Sequence, residues 1–495
     1  MRLEELIRPL LLKEVTGNPG VEIRGVETDS RRVRPGDLFI ALRGFTVDGH
    51  RYVPEAVRRG AAAVVAEEAV EAPVPVVRVP DTRRAMAVLA ATFYRHPTRE
   101  LKLIGVTGTN GKTTTSHLIQ TILNDRGTPA GLIGTIHMRI GDRSYPVRNT
   151  TPEAVDLQRS FRWMCDEGCR YAVIEASSHA LDLGRTRGCE FHAAVFTNLT
   201  RDHLDYHGTM EKYREAKGLL FSQLGNRFSD EPGENRYAVL NADDDASAYF
   251  ARITPQQVIT YGIESPADVR AENIQIRSEG TSFTLRTFRG SIDVRLQLVG
   301  KFSVYNALAA AAVALAEGVP LEAIRGSLEA VTGVAGRFEK VDEGQPFTVL
   351  VDYAHTPDSL QNVLETIRGF ARGSVYCVVG CGGDRDRGKR PRMARIAAEY
   401  SDVVILTSDN PRSEDPEAII ADMLEGLDGE MRERTVTLVD RREAIRYAVD
   451  RAAPGDVVLI AGKGHETYQE IKGVRYDFDD REVAREALRA RGRVG

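Results

Sequence analysis

Tryptophan occurs once and cysteine five times in 495 residues. The five cysteines, Cys165, Cys169, Cys189, Cys377 and Cys381, are odd in number and form no CxxC pair. That excludes a disulfide framework and a zinc knuckle. Charge of one sign is equally scarce: 66 Lys and Arg face 71 Asp and Glu, a net charge of −5. A protein held to nucleic acid by bulk positive charge is not expected from that balance. Long hydrophobic runs are missing too. The longest, residues 307–316, has ten residues, against the ~20 that cross a bilayer, so no membrane insertion is expected. Charges interrupt the apolar patches of the first fifteen residues, which do not read as a signal peptide. A cytoplasmic protein, acting as a monomer on small molecules, is expected.

What is present is a globular composition, 42 % hydrophobic and 28 % charged, long enough for about three domains. Residues 1–98 carry short strand-like runs at 21–26, 37–41, 63–65 and 76–79, and close at His96-Pro97-Thr98, where proline disfavours helix in its neighbour. From Leu101 the texture becomes strand–loop–helix. The runs LKLIGV, YAVIEA, AAVFTN and YAVLNA each end in polar or glycine-rich loops. After Thr332-Gly333-Val334-Ala335-Gly336 the rhythm restarts with FTVLVDY, SVYCVVG, DVVILTS and DVVLIAG. Buried strands alternating with helices predict an α/β protein with mainly parallel sheets. The expected layout is a smaller N-terminal α/β domain (1–98), a central P-loop parallel-sheet domain (99–335) and a Rossmann-like C-terminal α/β domain (336–495). In such sheets ligands gather beyond the carboxyl ends of the strands, so the post-strand loops should carry the chemistry.

The loop Gly105-Val106-Thr107-Gly108-Thr109-Asn110-Gly111-Lys112-Thr113-Thr114 follows a strand and opens a helix. Glycines let backbone N–H groups close on phosphate oxygens, Lys112 adds a charge, and the Thr113 hydroxyl suits Mg²⁺. Val106 stands where the GxxxxGK[ST] spacing asks for glycine. Glu175 ends the strand YAVIE, where it could reach a P-loop metal or remain a solvated strand-end acid. His203 follows another strand, as a ligand or as a loop histidine in a polar network. On a helix over 210–224, at 100° per residue, Met210, Tyr213, Lys217, Phe221 and Leu224 share one face. An ammonium in that apolar stripe must be paired, neutralised or modified, unless it snorkels to water. Burial favours the neutral amine, which reacts with CO₂ to give a carbamate, a carboxylate-like metal ligand.

Taken together, Gly108-Thr109-Asn110-Gly111-Lys112-Thr113-Thr114, Glu175-Ala176-Ser177-Ser178-His179, Asn198-Leu199-Thr200-Arg201-Asp202-His203-Leu204-Asp205, Tyr213-Arg214-Glu215-Ala216-Lys217 and Asp352-Tyr353-Ala354-His355-Thr356-Pro357 resemble the Mur ligases. These ATP-dependent amino-acid ligases build the peptide stem of peptidoglycan, and the resemblance runs nearly end to end. GTNGKTT is that family's own form of the P-loop. The resemblance implies ATP and Mg²⁺ as cofactors. It implies phosphate and metal contacts from Gly108 through Thr114, magnesium ligation by Thr113, Glu175, His203 and carbamylated Lys217, and nucleotide contacts from Asn306, Arg337 and Asp352. It also implies uridine-diphosphate contacts from Ser30, Asp48 and His50, and muramoyl-dipeptide contacts from Thr150, Thr151, Ser177 and Arg185. Leu183 stands where some relatives place a glutamine contact to that substrate.

Asp409-Asn410-Pro411-Arg412, with Gly382-Gly383-Asp384-Arg385, resembles the member that adds meso-diaminopimelate to UDP-N-acetylmuramoyl-L-alanyl-D-glutamate through an acyl phosphate. Arg385, Asp409, Asn410, Arg412, Gly462 and Glu466 match its amino-acid contacts. Arg412 could grip the extra carboxylate with two parallel N–H···O bonds. L-Lysine would leave it buried and unpaired, so rejection by about 10⁴–10⁵-fold is expected. His465 reads either as a substrate contact or as loop structure. Ligases adding L-lysine, or glutamate to folate, share the central loop. A P-loop switch ATPase would not need Lys217 on an apolar face.

Overall fold

The computed structural model describes residues 1–44, 47–125, 127, 129–147 and 149–492. Three large sheets divide the chain, and a two-stranded hairpin, Tyr468–Ile471 with Val474–Asp477, forms a fourth. The first has five short strands in the order Glu14–Thr16, Val76–Arg78, Ala63–Ala66, Asp37–Ile40, Gly25–Glu27, all parallel except the first pair. The run expected at 21–26 forms a strand only from Gly25.

The second sheet has eleven strands. Lys102–Thr107 lies at its centre, with Tyr171–Glu175 on one side and Phe191–Phe196 on the other, parallel to both. Antiparallel strands extend both edges, Met138–Ile140 and Arg143–Tyr145 at one, Gly280–Thr287 and Gly290–Leu296 at the other. Their more polar, alternating sequences carry no parallel-strand signature, so the sequence predicts only the middle of this sheet.

Side chains alternate across that middle. Ile104, Val106 and Val173 enter the layer beneath helix Lys112–Asn124 and the alanine-rich helix Lys301–Ala316. Leu103, Ala172 and Ile174 enter the opposite layer with Phe161, Phe221 and Phe250. Period-two burial on both faces is what a helix-covered parallel sheet requires. The small side chains of 307–316 are almost all fully buried, which lets that helix lie close against the P-loop helix and brings Asn306 to the loop.

The third sheet runs Glu339–Val341, Thr348–Asp352, Val457–Ala461, Val375–Val379, Val403–Leu406, Thr435–Thr437, parallel beyond the first pair. All eight buried runs read from the sequence after Leu101 are strands. The second and third units meet along a seam. Phe302 packs on Phe338, which contacts Phe370 (ring centroids 5.9 and 6.4 Å apart). Other contacts are polar: Asn110 donates to Asp358 at 2.9 Å and Arg201 pairs with Asp386 at 3.3 Å. No helix among the described residues is long and apolar enough to cross a membrane.

The third unit also holds a fully buried ion pair. Arg441 grips Asp480 through two bonds of 2.8 and 2.7 Å and donates to the Ala461 carbonyl at the end of the central strand. Removing one partner strands the other charge in the core. Arg441→Met is therefore expected to destabilise this unit by about 3–5 kcal/mol, seen by calorimetry as a transition moved well below that of the parent protein. An unmoved transition would show the pair to be dispensable.

Candidate active site

The P-loop turns from strand Lys102–Thr107 into helix Lys112–Asn124. Gly108 sits at φ +149°, and a Cβ there would lie 1.8 Å from the Thr197 hydroxyl, so only glycine fits between the two strands' ends. The loop is sewn to its neighbour by Thr109 N to Asn198 O (2.8 Å), Asn110 N to Asn198 Oδ1 (2.9 Å) and Thr197 Oγ1 to Asn110 O (2.6 Å). Lys112 Nζ donates to the carbonyls of Gly108 and Thr109 at 2.9 and 2.8 Å.

Lys217 arrives on helix Met210–Ser222, two residues shorter than the sequence suggests. It is fully buried, its Nζ donates to the same Gly108 carbonyl at 2.7 Å, and it sits 4.4 Å from the Tyr213 ring centre. It does not snorkel. Burial holds its pKa far below the ordinary lysine range, the Lys112 charge pushes the same way, and Asp202 opposes both. Burial also lowers the pKa of Lys112, against the pull of Glu175 and Asp202. Two ammonium groups on one buried carbonyl is an expensive arrangement, and a neutral amine at 217 relieves it.

Glu175 is buried at its strand end. Its carboxylate accepts from the Thr113 hydroxyl (2.9 Å) and from the backbone N–H and hydroxyl of Thr135 (2.9 Å each). Thr113 Oγ1 in turn accepts from Arg337, 3.0 Å away on the third unit. His203 takes a left-handed backbone (φ 55°), and burial drives its imidazole towards the neutral form. Its partner Asp202 lies 3.3 Å from His203 Nε2 and 3.7 Å from His355 Nε2. Burial alone would raise the pKa of Asp202, but His355, His203 and Lys389 hold it well below the carboxylate range. Among the described residues no three His, Cys, Asp or Glu side chains converge as a metal cage. The donors at the loop are hard oxygens, the Thr113 hydroxyl and the Glu175 carboxylate, and a carbamate on Lys217 adds another beside Lys112. That set fits Mg²⁺.

A cavity of about 410 Å³ opens beside the loop, lined by Asn110, Gly111, Thr114, Asn306, Arg337 and Asp352 among others. All three nucleotide-contact candidates from outside the loop are thus brought to it. Arg337 lies over the Tyr353 ring at 4.5 Å. Asp352 accepts from Phe338 N at 2.6 Å, and burial raises its pKa. The dipeptide candidates cluster one step along: Thr151 Oγ1 donates to Glu175 O (2.7 Å) and accepts from Ser177 N (3.1 Å). Arg185 donates to Thr151 O (3.1 Å), and the Thr150 and Thr135 hydroxyls are 3.2 Å apart.

The first-domain candidates are internally committed. Ser30 donates to Glu55 at 2.9 Å. His50 Nδ1 lies 2.6 Å from Asp48 Oδ1, and its Nε2 accepts from Glu67 N at 2.9 Å, so both ring nitrogens are used.

On the third unit Asp409, Asn410, Gly462 and Glu466 form one basket. Asn410 Nδ2 donates to Glu466 Oε2 at 2.8 Å, and a Cβ on Gly462 (φ +116°) would fall 2.6 Å from Asp409 Oδ2. Arg412 is half-buried, and one guanidinium nitrogen donates to Gly383 O at 2.7 Å. Arg385 is exposed and bonded to the Asp384 carbonyl at 2.9 Å. His465 packs against Tyr353 (5.1 Å between ring centres), with its pKa pushed down by burial to about 3. Two residues went unread in the sequence. Lys463, fully buried, bonds both Asn410 and Glu466; a lysine between glycines after an apolar strand was the available signal. Arg390, equally buried, ties Glu414, Asp422 and the Gly382 carbonyl together, and nothing local in the sequence marks it.

Comparison with known proteins gives the same order of parts. Family models described as Mur ligase family, catalytic domain, Mur ligase middle domain, and Mur ligase, glutamate ligase domain match residues 22–94, 106–314 and 336–464. A relative from Geobacillus kaustophilus (strain HTA426), named UDP-N-acetylmuramoyl-L-alanyl-D-glutamate--2,6-diaminopimelate ligase, is 58 % identical over 476 residues, 96 % of each chain. A Bacillus licheniformis protein of that name is 54 % identical over 491 residues, 99 % of each. A solved structure so named covers 99 % of both chains at 36 % identity and a TM-score of 0.69. With matched models covering most of its length in order and relatives this close, the chain belongs to the Mur ligase family.

Proposed function

We propose that this protein is the ATP-dependent ligase that joins meso-2,6-diaminopimelate to the D-glutamyl carboxylate of UDP-N-acetylmuramoyl-L-alanyl-D-glutamate, in cytoplasmic peptidoglycan precursor synthesis. The observation that carries the reading is near-full-length identity of 54–58 % to ligases of that name, and the P-loop geometry supports it.

The chemistry has two steps. A carboxylate oxygen of D-glutamate takes the γ-phosphoryl group of ATP, releasing ADP. The amine of the incoming amino acid then attacks the acyl carbon, phosphate leaves, and the nitrogen gives up its proton. Both steps gather negative charge on oxygen, so a fixed positive environment is the largest help a protein can give. Lys112 supplies it at the phosphates, with Gly108, Thr109, Asn110, Gly111 and Thr114 forming the cradle. Thr113, Glu175, His203 and a carbamate on Lys217 would hold Mg²⁺, which when bound neutralises phosphoryl charge. Asn306, Arg337 and Asp352 orient the nucleotide. Thr150, Thr151, Ser177 and Arg185 hold the dipeptide next to Glu175. In the first domain Ser30 and Asp48 serve the uridine diphosphate, with His50 fixing Asp48. The domain limits 1–98, 99–335 and 336–495 give each substrate its own unit, and alignment of the three supplies much of the rate.

Two outcomes test this reading. Lys217→Arg supplies a cation of similar length that cannot form a carbamate, so acyl-phosphate formation should fall by at least about 10³-fold. In ¹³C-bicarbonate the parent protein should show a carbamate carbon that the variant lacks. Normal turnover by the variant would refute the metal-ligand role. In the second, UDP-muramoyl dipeptide and ATP are offered a panel of amino acids and products are read by mass. meso-Diaminopimelate should be used and L-lysine rejected. Because Arg412 already spends one nitrogen on Gly383, the Arg412→Ala loss should be on the order of 10²-fold, the worth of one or two charged hydrogen bonds. Equal use of L-lysine would overturn the assignment.

A further inference from the structure

Lys463 is the one lysine in the amino-acid basket, fully buried, at the turn after strand Val457–Ala461. Its ammonium donates to Asn410 Oδ1 at 3.0 Å and to Glu466 Oε2 at 3.2 Å, and lies 5.5 Å from the centre of the Tyr468 ring. Asn410 Oδ1 also accepts from Glu470 N at 2.9 Å. The amide can therefore point only one way, with Nδ2 towards Glu466 (2.8 Å) and its second N–H free for a ligand. Glu466 Oε2 takes both protein donors, while Oε1 has no hydrogen-bond partner among the described residues.

Charge follows from the same contacts. Asp409 and Glu466 bring two negative charges, and Arg385 and Arg412 two positive ones. Lys463 adds a third, fully buried positive charge, while the nearby Glu470 is offset by Arg475 at 3.7 Å. A positive field favours a ligand whose far end carries an ammonium and a carboxylate over one whose far end is a bare ammonium. We propose that Lys463 is a positioning and specificity-determining residue: its ammonium orients Asn410, shares the charge of Glu466 and penalises amino acids lacking a distal carboxylate. This rests on the diaminopimelate reading above. Glu470 N still holds Asn410 once Lys463 is gone, so a neutral residue at 463 changes the field more than the geometry.

The test compares kcat/KM for meso-diaminopimelate and for L-lysine in the parent protein, Lys463→Met and Lys463→Arg. The ratio is taken within each preparation, so loss of folded protein cancels. Lys463→Met should lower the ratio about tenfold or more, through a raised KM for diaminopimelate with L-lysine use unchanged or improved, and with the KM for ATP within about twofold. Lys463→Arg should keep most of the discrimination. If the methionine variant is not recovered folded, Lys463→Gln, which removes the charge and keeps a donor, should give the same drop. Parallel losses for both amino acids, leaving the ratio unmoved, would overturn the proposal while the ligase reading stands. A parent protein that never uses diaminopimelate would instead overturn that reading.

Discussion

The carbonyl oxygen of Gly108 accepts from Lys112 and from Lys217 at once, and much of the active site can be understood as a response to that crowding. Two buried cations sharing one acceptor repel each other with little solvent to screen them. Asp202 answers from one side, itself held ionised by His203 and by His355 of the third unit. Tyr213 offers its ring face to Lys217 and its hydroxyl to Thr109. The charge balance of the P-loop thus extends across the seam. The third unit takes part in this site, because Arg337 and His355 complete the electrostatics around the P-loop.

The basket on the third unit solves a different problem. Its buried polar side chains must be held in one arrangement by their own contacts. Asn410 is immobilised by Lys463 and Glu470, and Asp409 accepts through its carbonyl from Gln469. The segment following them is locked by Arg390 to Glu414 and Asp422. Arg412 has a left-handed backbone (φ 52°) between N–H and carbonyl bonds to Glu470 and Lys472. That conformation costs about 1–2 kcal/mol for a residue other than glycine, and the surrounding bonds hold it in place.

The sequence carried the scaffold and the local parts of the site. Buried parallel strands are written as continuous apolar runs, so LKLIGV or DVVLIAG need no partner to be read. The P-loop and Lys217 were legible for the same reason, one through spacing and the other through its place on an apolar helix face. What escaped depends on contacts between distant segments. The antiparallel edges of the central sheet are polar on one face, which breaks up the continuous apolar run. Arg390 is charged in a helix whose other charges face water, and only its meeting with Glu414 and Asp422 explains its burial. The commitment of both His50 nitrogens is likewise invisible until Glu67 is brought alongside.

The seam between the second and third units is made of contacts of two kinds. Phe302, Phe338 and Phe370 meet through ring surfaces, and such contact has no preferred direction and survives rotation. Asn110 with Asp358, and Arg337 with Thr113, meet through bonds that weaken steeply once angle and distance depart from ideal. A turn of a few degrees therefore leaves the ring contacts nearly unchanged in energy and weakens the bonds beside them. The joint combines a pivot and a catch on neighbouring residues, Phe338 and Arg337, and the catch closes directly over the hydroxyl that faces Glu175.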